Sequence, residues 1–138
     1  MPAQGYGRII QNSSILGFAV MPMRGAYNAS KFAIEGFSDT LRLELAGTDI
    51  HVSLIEPGPV ENRFRANAYR AFQQHIEVKN SAHRERYQKM IQRFEMSGNV
   101  QPFTLPPETV LKRVVHALES RQPKIRYPGR SRPTCSPG

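Results

Sequence analysis

Two short apolar segments with a long helical pattern between them constrain the fold of this chain most. Ile9 to Asn12 is predicted to be a buried strand, and Val52 to Ile55 is predicted to be a second strand that Pro57 ends. The helix between them is predicted to run from about Gly25 to Ala46, with Gly47 just beyond its last turn. The order strand, helix, strand is typical of an α/β fold with a parallel sheet.

A tyrosine and a lysine lie four positions apart on the predicted helix. Positions i and i+4 share a helix face, so Tyr27 and Lys31 are expected to point into one pocket. A nearby cation stabilises the charged form of a phenol, and a phenol tuned in this way can exchange a proton with an alcohol or carbonyl oxygen. The pair alone is weak evidence, because a surface lysine beside a half-buried tyrosine produces the same pattern.

The surroundings of this pair make it informative. The first predicted strand runs into Ser13 and Ser14, and the second runs into the turn Pro57-Gly58. Strand, hydroxyl, helix pair and Pro-Gly turn follow one another in the order and register of short-chain dehydrogenase/reductase enzymes. Residues 7–64 therefore resemble the C-terminal half of that family.

The resemblance implies a role for each of these residues. Ser14 would orient and polarise the substrate oxygen, with its neighbour Ser13 as the less favoured choice. Tyr27 would be the general acid/base, and Lys31 would activate it and hold the ribose hydroxyls of a nicotinamide cofactor. The cofactor-binding set implied by the match is Tyr27, Lys31, Pro57, Gly58, Val60 and Asn62. Asn62 stands where a threonine is common, and it retains hydrogen-bonding groups.

The resemblance also implies the fold and the reaction. We expect a partial Rossmann-like, doubly wound parallel sheet that lacks the N-terminal strands and the glycine-rich turn. Gly5-Tyr6-Gly7 is no substitute, because it leads into a strand and has Ile10 where a third glycine would stand. The expected activity is NAD(P)-dependent interconversion of an alcohol and a carbonyl on a small, apolar molecule. NADP and NAD both stay open as cofactor, because the discriminating residues follow a strand that this segment does not contain.

Two hypotheses for the chain as a whole stay open. As a fragment of an oxidoreductase, it would expose an unpaired strand edge, so we expect it to form a homo-oligomer or to pair with a complementing chain. Alternatively, the chain is a non-catalytic truncated remnant that acts as a protein-interaction module, since the long helix often helps to build the dimer interface in the family.

Composition bounds the other functional classes. The net charge is +8, and the five basic residues from Arg121 onward have no acidic neighbour. A solvated basic tail explains this charge, so no specific nucleic-acid partner is expected. The four histidines show no metal-ligand spacing, and no metal is expected. The single cysteine, Cys135, and the lack of a signal sequence or transmembrane segment favour a cytoplasmic location.

The chain is expected to divide into three parts. Residues 1–127 would form the C-terminal part of the Rossmann-like domain, residues 59–98 within them a lid over the substrate, and residues 128–138 a disordered basic tail. A helix is predicted around residues 84–94. The apolar lid residues would either suit an apolar substrate such as a lipid or only pack the lid; they are Phe64, Tyr69, Phe72, Met90 and Phe94.

Two further apolar faces are predicted to pack in the core. A stripe on the long helix is expected to pack on the sheet and comprises Ala29, Ala33, Phe37, Leu41 and Leu45. A last helix begins around Pro107 and Glu108, and its buried face comprises Val110, Leu111, Val114, Val115 and Leu118. A short strand at residues 124–127 is expected to follow it.

Overall fold

A computed structural model describes residues 2–96 and 104–129 of the chain. The strands of this part are β1 (Tyr6–Asn12), β2 (Asp49–Glu56) and β3 (Arg126–Pro128), and its α-helices are α1 (Gly25–Glu44), α2 (Phe64–His75), α3 (Arg84–Glu95) and α4 (Glu108–Glu119). Short 3-10 helices lie at Pro2–Gln4 and Ile15–Gly17. The chain forms two compact units, a sheet unit (Met1–Pro59 and Leu105–Gly138) and a helical unit (Val60–Thr104).

The sheet unit is built on a parallel sheet with the strand order β1-β2-β3. The β1–β2 register runs from the pair Tyr6 and Asp49 to the pair Asn12 and Ile55. Strand β2 lies in the centre and is buried from Val52 to Glu56. The predicted α/β class and both predicted strands are confirmed, and each strand is longer than its apolar segment because polar residues extend the pairing.

The alternation of side chains along β2 places α1 and α4 on opposite faces of the sheet. Ile55 packs in the core with Ala117 of α4. The next side chain, Glu56, points to the other face and lies 3.2 Å from the Nε atom of Arg126. The same guanidinium binds carboxylates of α1. The central strand is therefore covered on both sides, as a parallel sheet requires.

The prediction that the apolar stripe of α1 packs on the sheet is wrong. Its first three members, Ala29, Ala33 and Phe37, are exposed, and the last two are only half-buried. The residues that α1 buries are instead polar: Asn28, Glu35 and Ser38. Glu35 has partners from other elements, Ser13 and Arg126, which offset the cost of its burial. Ser38 donates to the carbonyl oxygen of Ile34 in the same helix, and Asn28 donates to that of Met21 in the loop before it.

The buried face of α4 is narrower than predicted. The helix begins at Glu108, as expected, and Val110, Val114 and Ala117 pack against the core. The spacing of these three positions fits one stripe of a helix that lies on a sheet. The other predicted members are exposed: Leu111 by 60%, Val115 by 39% and Leu118 by 52%.

Strand β3 reaches beyond the end predicted for it. Pro128 belongs to the strand, and the amide of Gly129 donates a hydrogen bond of 2.6 Å to the carbonyl oxygen of Glu56. The predicted disordered tail is therefore wrong at these two positions. The rest of that prediction, residues 130–138 with Cys135, lies outside the described residues.

The helical unit is held together by aromatic rings. The rings of Tyr69 on α2 and Phe94 on α3 stack with centroids 5.2 Å apart, and Phe72 meets Tyr87 edge-on at 5.5 Å. Arg65 adds hydrogen bonds to backbone oxygens at the end of α3. Helix α3 is confirmed, whereas α2 was not predicted. These aromatic rings pack the two helices together, which is the second of the two roles considered for them.

Removal of the Tyr127 hydroxyl tests the packing of the sheet unit. This hydroxyl lies 2.8 Å from Nδ1 of His116 and accepts a 2.9 Å bond from the amide of Lys124. Tyr127→Phe should lower the free energy of unfolding by about 1–2 kcal/mol, because the part-buried contacts of this hydroxyl with Lys124 and His116 are lost. Urea denaturation followed by circular dichroism measures the change. Tyr6→Phe is the matched control, since Tyr6 is 62% exposed, and an equal loss in both variants would contradict this role.

Candidate active site

Backbone hydrogen bonds join the loop after β1 to the turn after β2. The amide of Ser13 donates to the carbonyl oxygen of Ile55 at 2.8 Å, and the amide of Ile15 donates to that of Pro57 at 3.1 Å. Ser14 lies between these two bonds. The structure thus brings the predicted serine next to the predicted Pro-Gly turn, at the carboxyl end of the sheet, where open α/β sheets bind their ligands.

Lys31 connects α1 to the same end of the sheet. Its Nζ atom donates a 2.8 Å hydrogen bond to the carbonyl oxygen of Asn12, the last residue of β1. The same atom lies 5.7 Å from the centroid of the Tyr27 ring. The two side chains therefore share a helix face, and the lysine charge is held between the tyrosine and the strand end.

The donors of Lys31 fit a nicotinamide ribose. An ammonium has three N–H donors, and the Asn12 oxygen takes one of them. The other two can bind vicinal hydroxyls, which accept hydrogen bonds from a cation readily. The residues present at this site therefore suit the cofactor that the family resemblance implies.

The two neighbouring serines have different partners. Ser13 Oγ donates to Oε1 of Glu35 and is thereby occupied. Ser14 Oγ accepts a 3.2 Å bond from the amide of Leu16, which uses an oxygen lone pair and not the hydroxyl proton. Within residues 2–96 and 104–129, no acceptor for that proton is found. The hydroxyl proton of Ser13 is therefore used within the protein, whereas the role of Ser14 as a donor to a substrate oxygen stays a prediction.

Gly17 allows the serine loop to pack against α1. A Cβ atom built on Gly17 would lie 2.7 Å from Ser13 Oγ and 2.8 Å from Cγ of Glu35. Both distances are too short for real contacts. Sequence analysis missed this glycine, although its place three residues after the serine pair is a signal that the loop must approach another element closely.

Arg126 and three carboxylates form a cluster of charges next to this loop. Arg126 lies 2.7 Å from Asp39, 3.4 Å from Glu35 and 3.2 Å from Glu56, measured between guanidinium nitrogens and carboxylate oxygens. Glu56 is fully buried. The hydrogen bond to Arg126 holds the pKa of Asp39 below its usual range, and the same bond raises the pKa of Arg126. Sequence analysis missed this cluster, whose arginine is 87 positions away from Asp39.

The remaining predicted cofactor residues lie in and after the turn that follows β2. A Cβ atom built on Gly58 would meet no atom within 4 Å, so one side of this turn is open to a ligand. Val60 and Asn62 belong to the helical unit. Oδ1 of Asn62 accepts a 2.9 Å bond from the amide of Phe64 at the start of α2. A cofactor contact of these two residues stays a prediction.

Metal binding and membrane insertion are two other functions on which the described residues bear. In residues 2–96 and 104–129, no group of three or more histidine, cysteine, aspartate or glutamate side chains could hold a metal ion. No helix of the same ranges has the length and apolar character needed to cross a bilayer.

Comparison with known proteins identifies the family. The profile described as short chain dehydrogenase matches residues 1–73, which is more than half of the chain. The chain therefore belongs to the short-chain dehydrogenase family, and the resemblance drawn from the sequence is confirmed.

Individual relatives agree with this assignment. The chain is 43% identical over 128 residues to the "Uncharacterized oxidoreductase YbbO" of Escherichia coli K12, covering 93% of this chain and 41% of the relative. It is 32% identical over 125 residues to the "NADPH-dependent 3-dehydrocapnine reductase" of Ornithobacterium rhinotracheale, covering 91% of this chain and 42% of the relative. The chain thus spans about two fifths of the length of these curated relatives.

A solved structure supports the fold. The short-chain dehydrogenase/reductase of Burkholderia phymatum in complex with NAD superposes with a TM-score of 0.63 at 26% identity. The match covers 91% of this chain and 44% of that protein. The parallel sheet described above is therefore part of a Rossmann-like architecture.

Gly17→Ala tests the close packing of the serine loop. The new methyl group would overlap Ser13 and Glu35, so we expect the free energy of unfolding to fall by about 1–3 kcal/mol. Chemical denaturation measures this change. Gly36→Ala is the matched control, because its added Cβ meets nothing within 4 Å and alanine favours the helix. Equal stability of the Gly17 variant and the parent chain would contradict the packing described here.

Proposed function

We propose that this chain carries the proton-transfer half of an NAD(P)-dependent oxidoreductase that interconverts an alcohol and a carbonyl. The observation that supports it is the ammonium of Lys31, which lies 5.7 Å from the Tyr27 ring centroid and is bound to the end of β1. Ser14 lies in the loop that follows the same strand end. An acid/base group, a cation and a hydroxyl donor are thus collected where a parallel sheet receives its ligand.

Each of the three side chains has its own part in the proposed reaction. During reduction, the Tyr27 hydroxyl gives its proton to the substrate oxygen, and it takes the proton back during oxidation. Lys31 stabilises the negative charge left on the phenol, and its other N–H donors bind the ribose of the cofactor. The Ser14 hydroxyl donates to the substrate oxygen and polarises the carbonyl. When bound, the nicotinamide supplies or accepts the hydride.

The reaction requires a nucleotide-binding half in addition to this segment. Within the described residues, β1 pairs only with β2, so its other edge offers unpaired backbone groups. We propose that a strand of the nucleotide-binding half pairs with this edge, either within one polypeptide or from a second one. Pro57, Gly58, Val60 and Asn62 would then contact the nicotinamide, and residues 59–98 would cover the substrate.

An apolar substrate is the most suitable class. Three large apolar side chains of the helical unit are exposed, namely Phe64 by 54%, Ile76 by 39% and Met96 by 58%. The relative named as a 3-dehydrocapnine reductase matches 91% of this chain, so most of the helical unit lies within the match. The cofactor of that relative makes NADPH the first choice to test, with NADH as the comparison.

Tyr27→Phe tests the acid/base assignment. In the enzyme assembled from this chain and its nucleotide-binding half, we expect the turnover number to fall by about 10²-fold to 10⁴-fold, because the substrate oxygen loses its proton donor. The dissociation constant for NADPH should stay unchanged, since Lys31 is intact. Steady-state kinetics and fluorescence titration measure the two quantities. Tyr6→Phe is the control, and turnover near the parent rate in the Tyr27 variant would remove the residue from this role.

Substitution of the two serines separates their roles. Ser14→Ala should reduce the turnover number by about 10²-fold, since one donor to the reacting oxygen is lost. Ser13→Ala should reduce it less, by about tenfold, because Ser13 donates to Glu35 and not to the substrate. Kinetics with a single ketone substrate give the comparison. A larger loss for Ser13→Ala than for Ser14→Ala would reverse the assignment.

A protein-interaction module is the second candidate function. It is favoured by the outer face of α1, on which Phe32 is 44%, Phe37 61% and Leu43 68% exposed. Titration with NADPH and NADH separates the two functions. Fluorescence enhancement at micromolar cofactor supports the oxidoreductase, whereas no enhancement by the complemented chain, together with retained binding to a full-length relative, supports the module.

A further inference from the structure

We infer that Arg126 is a positioning residue for Ser14, and that it acts through Glu35 and Ser13. The inference deepens the proposed function and rests on it. Arg126 is in the last described strand, far along the chain from the serine loop, and it contacts neither Ser13 nor Ser14 in the described structure. Its influence on the reaction would therefore be indirect.

The first step is the hold of Arg126 on three carboxylates. The Nη2 atom of Arg126 donates to Asp39, while its Nε atom lies 3.4 Å from Glu35 and 3.2 Å from Glu56. The extended, planar charge of one guanidinium therefore contacts all three carboxylates at the same time. Two of these carboxylates come from α1 and the third comes from the end of β2. Arg126 thereby fixes the distance between the helix and the strand end that precedes the Pro-Gly turn. A lysine side chain has a single nitrogen and would contact fewer of these carboxylates.

The second step is the contact between Glu35 and the serine loop. One oxygen of Glu35, Oε2, faces Arg126, while the other, Oε1, accepts the hydroxyl proton of Ser13. The Glu35 side chain is only 11% exposed, so water competes little for either bond. The absence of a side chain at Gly17 provides the space for this contact. Glu35 therefore transmits the position of Arg126 to Ser13.

The third step leads from Ser13 to Ser14. The amide of Ser13 is bonded to β2, and that of Ile15 is bonded to the following turn, so Ser14 is held from both sides. A lysine at position 126 would not contact all three carboxylates, so Glu35 would be held less firmly beside Asp39 and Glu56, which repel it. Glu35 would then move, and Ser13 would lose its acceptor. The hydroxyl of Ser14 shifts with the loop.

Kinetics of three variants in the assembled enzyme test this chain of contacts. Arg126→Lys and Glu35→Gln should lower the turnover number by about tenfold, since displacement of a reacting group by a fraction of an ångström is costly. The KM for NADPH should change less than about twofold, because Lys31 is not involved. Arg42→Lys is the matched control: Arg42 also binds Asp39, but not Glu35. An equal kinetic effect of Arg42→Lys, or a rise of KM alone, would overturn the inference.

A double-mutant cycle tests whether the effect passes through Ser13. In a Ser13→Ala background, Arg126→Lys should change turnover less than about twofold, because the connection is already broken. If Arg126→Lys lowers the turnover number as strongly in the Ser13→Ala background as in the parent enzyme, Arg126 acts by another route and the inference is overturned. If Arg126→Lys does not fold, the same cycle with Glu35→Gln shows whether the effect passes through Ser13.

Hydrogen exchange separates this inference from the proposed function. We expect Arg126→Lys to speed exchange at the amides of Ser13 and Ile15, and Arg42→Lys to leave it unchanged. Unchanged exchange in Arg126→Lys would overturn the inference even in an active enzyme. The assembled protein could also show faster exchange in Arg126→Lys and yet reduce no carbonyl with NADPH or NADH. That result would support the effect of Arg126 on the serine loop and would reject only the proposed function.

Discussion

The hydrogen bond from Lys31 to the carbonyl oxygen of Asn12 is the contact on which the site depends. It connects α1 to the end of β1, and it holds the lysine charge next to the Tyr27 ring. A different rotation of the helix would carry the tyrosine away from the serine loop. A single ammonium thus connects the Tyr27 ring with the end of β1, from which the serine loop starts.

The polar character of the buried face of α1 follows from this rotation. The positions that continue down the same side from Lys31 include Glu35, Ser38 and Asp39, and these residues face the sheet unit. Buried carboxylates require compensation, which Arg126 provides from β3. Phe32, Phe37 and Leu43 are consequently left on the outside, whereas Ile34 and Leu41 are half-buried. The partners available to Glu35 and Asp39 therefore account for the side of this helix that is turned inwards.

Local patterns were enough to predict the parts of the site that are close in sequence. The spacing of Tyr27 and Lys31 predicts a shared helix face because helix geometry is regular, and the Pro57-Gly58 turn follows from the chemistry of its residues. The rotation of α1 differs from the prediction, because its buried side is formed by polar residues and not by its apolar stripe. Helix α2 was missed because its apolar residues are sparse among polar ones.

Local sequence patterns do not predict contacts between segments that are distant along the chain. Nothing near Arg126 in the sequence shows that it meets α1, because that encounter depends on the pairing of β2 with β3. Once the sheet is formed, the alternation along β3 turns Arg126 towards α1 and Tyr127 towards α4. The residues that support the serine loop thus become visible only at the level of the folded sheet.

Transfer of deuterium is the most direct measurement of the claim that Lys31 and Tyr27 form an oxidoreductase site. NADPH deuterated at its transferable position is incubated with the assembled enzyme and a long-chain ketone, and the alcohol is analysed by mass spectrometry. We expect one deuterium on the carbinol carbon, and a loss of about 10²-fold or more in the rate when Lys31 is replaced by methionine. Deuterium transfer at an undiminished rate in the Lys31→Met variant would contradict it.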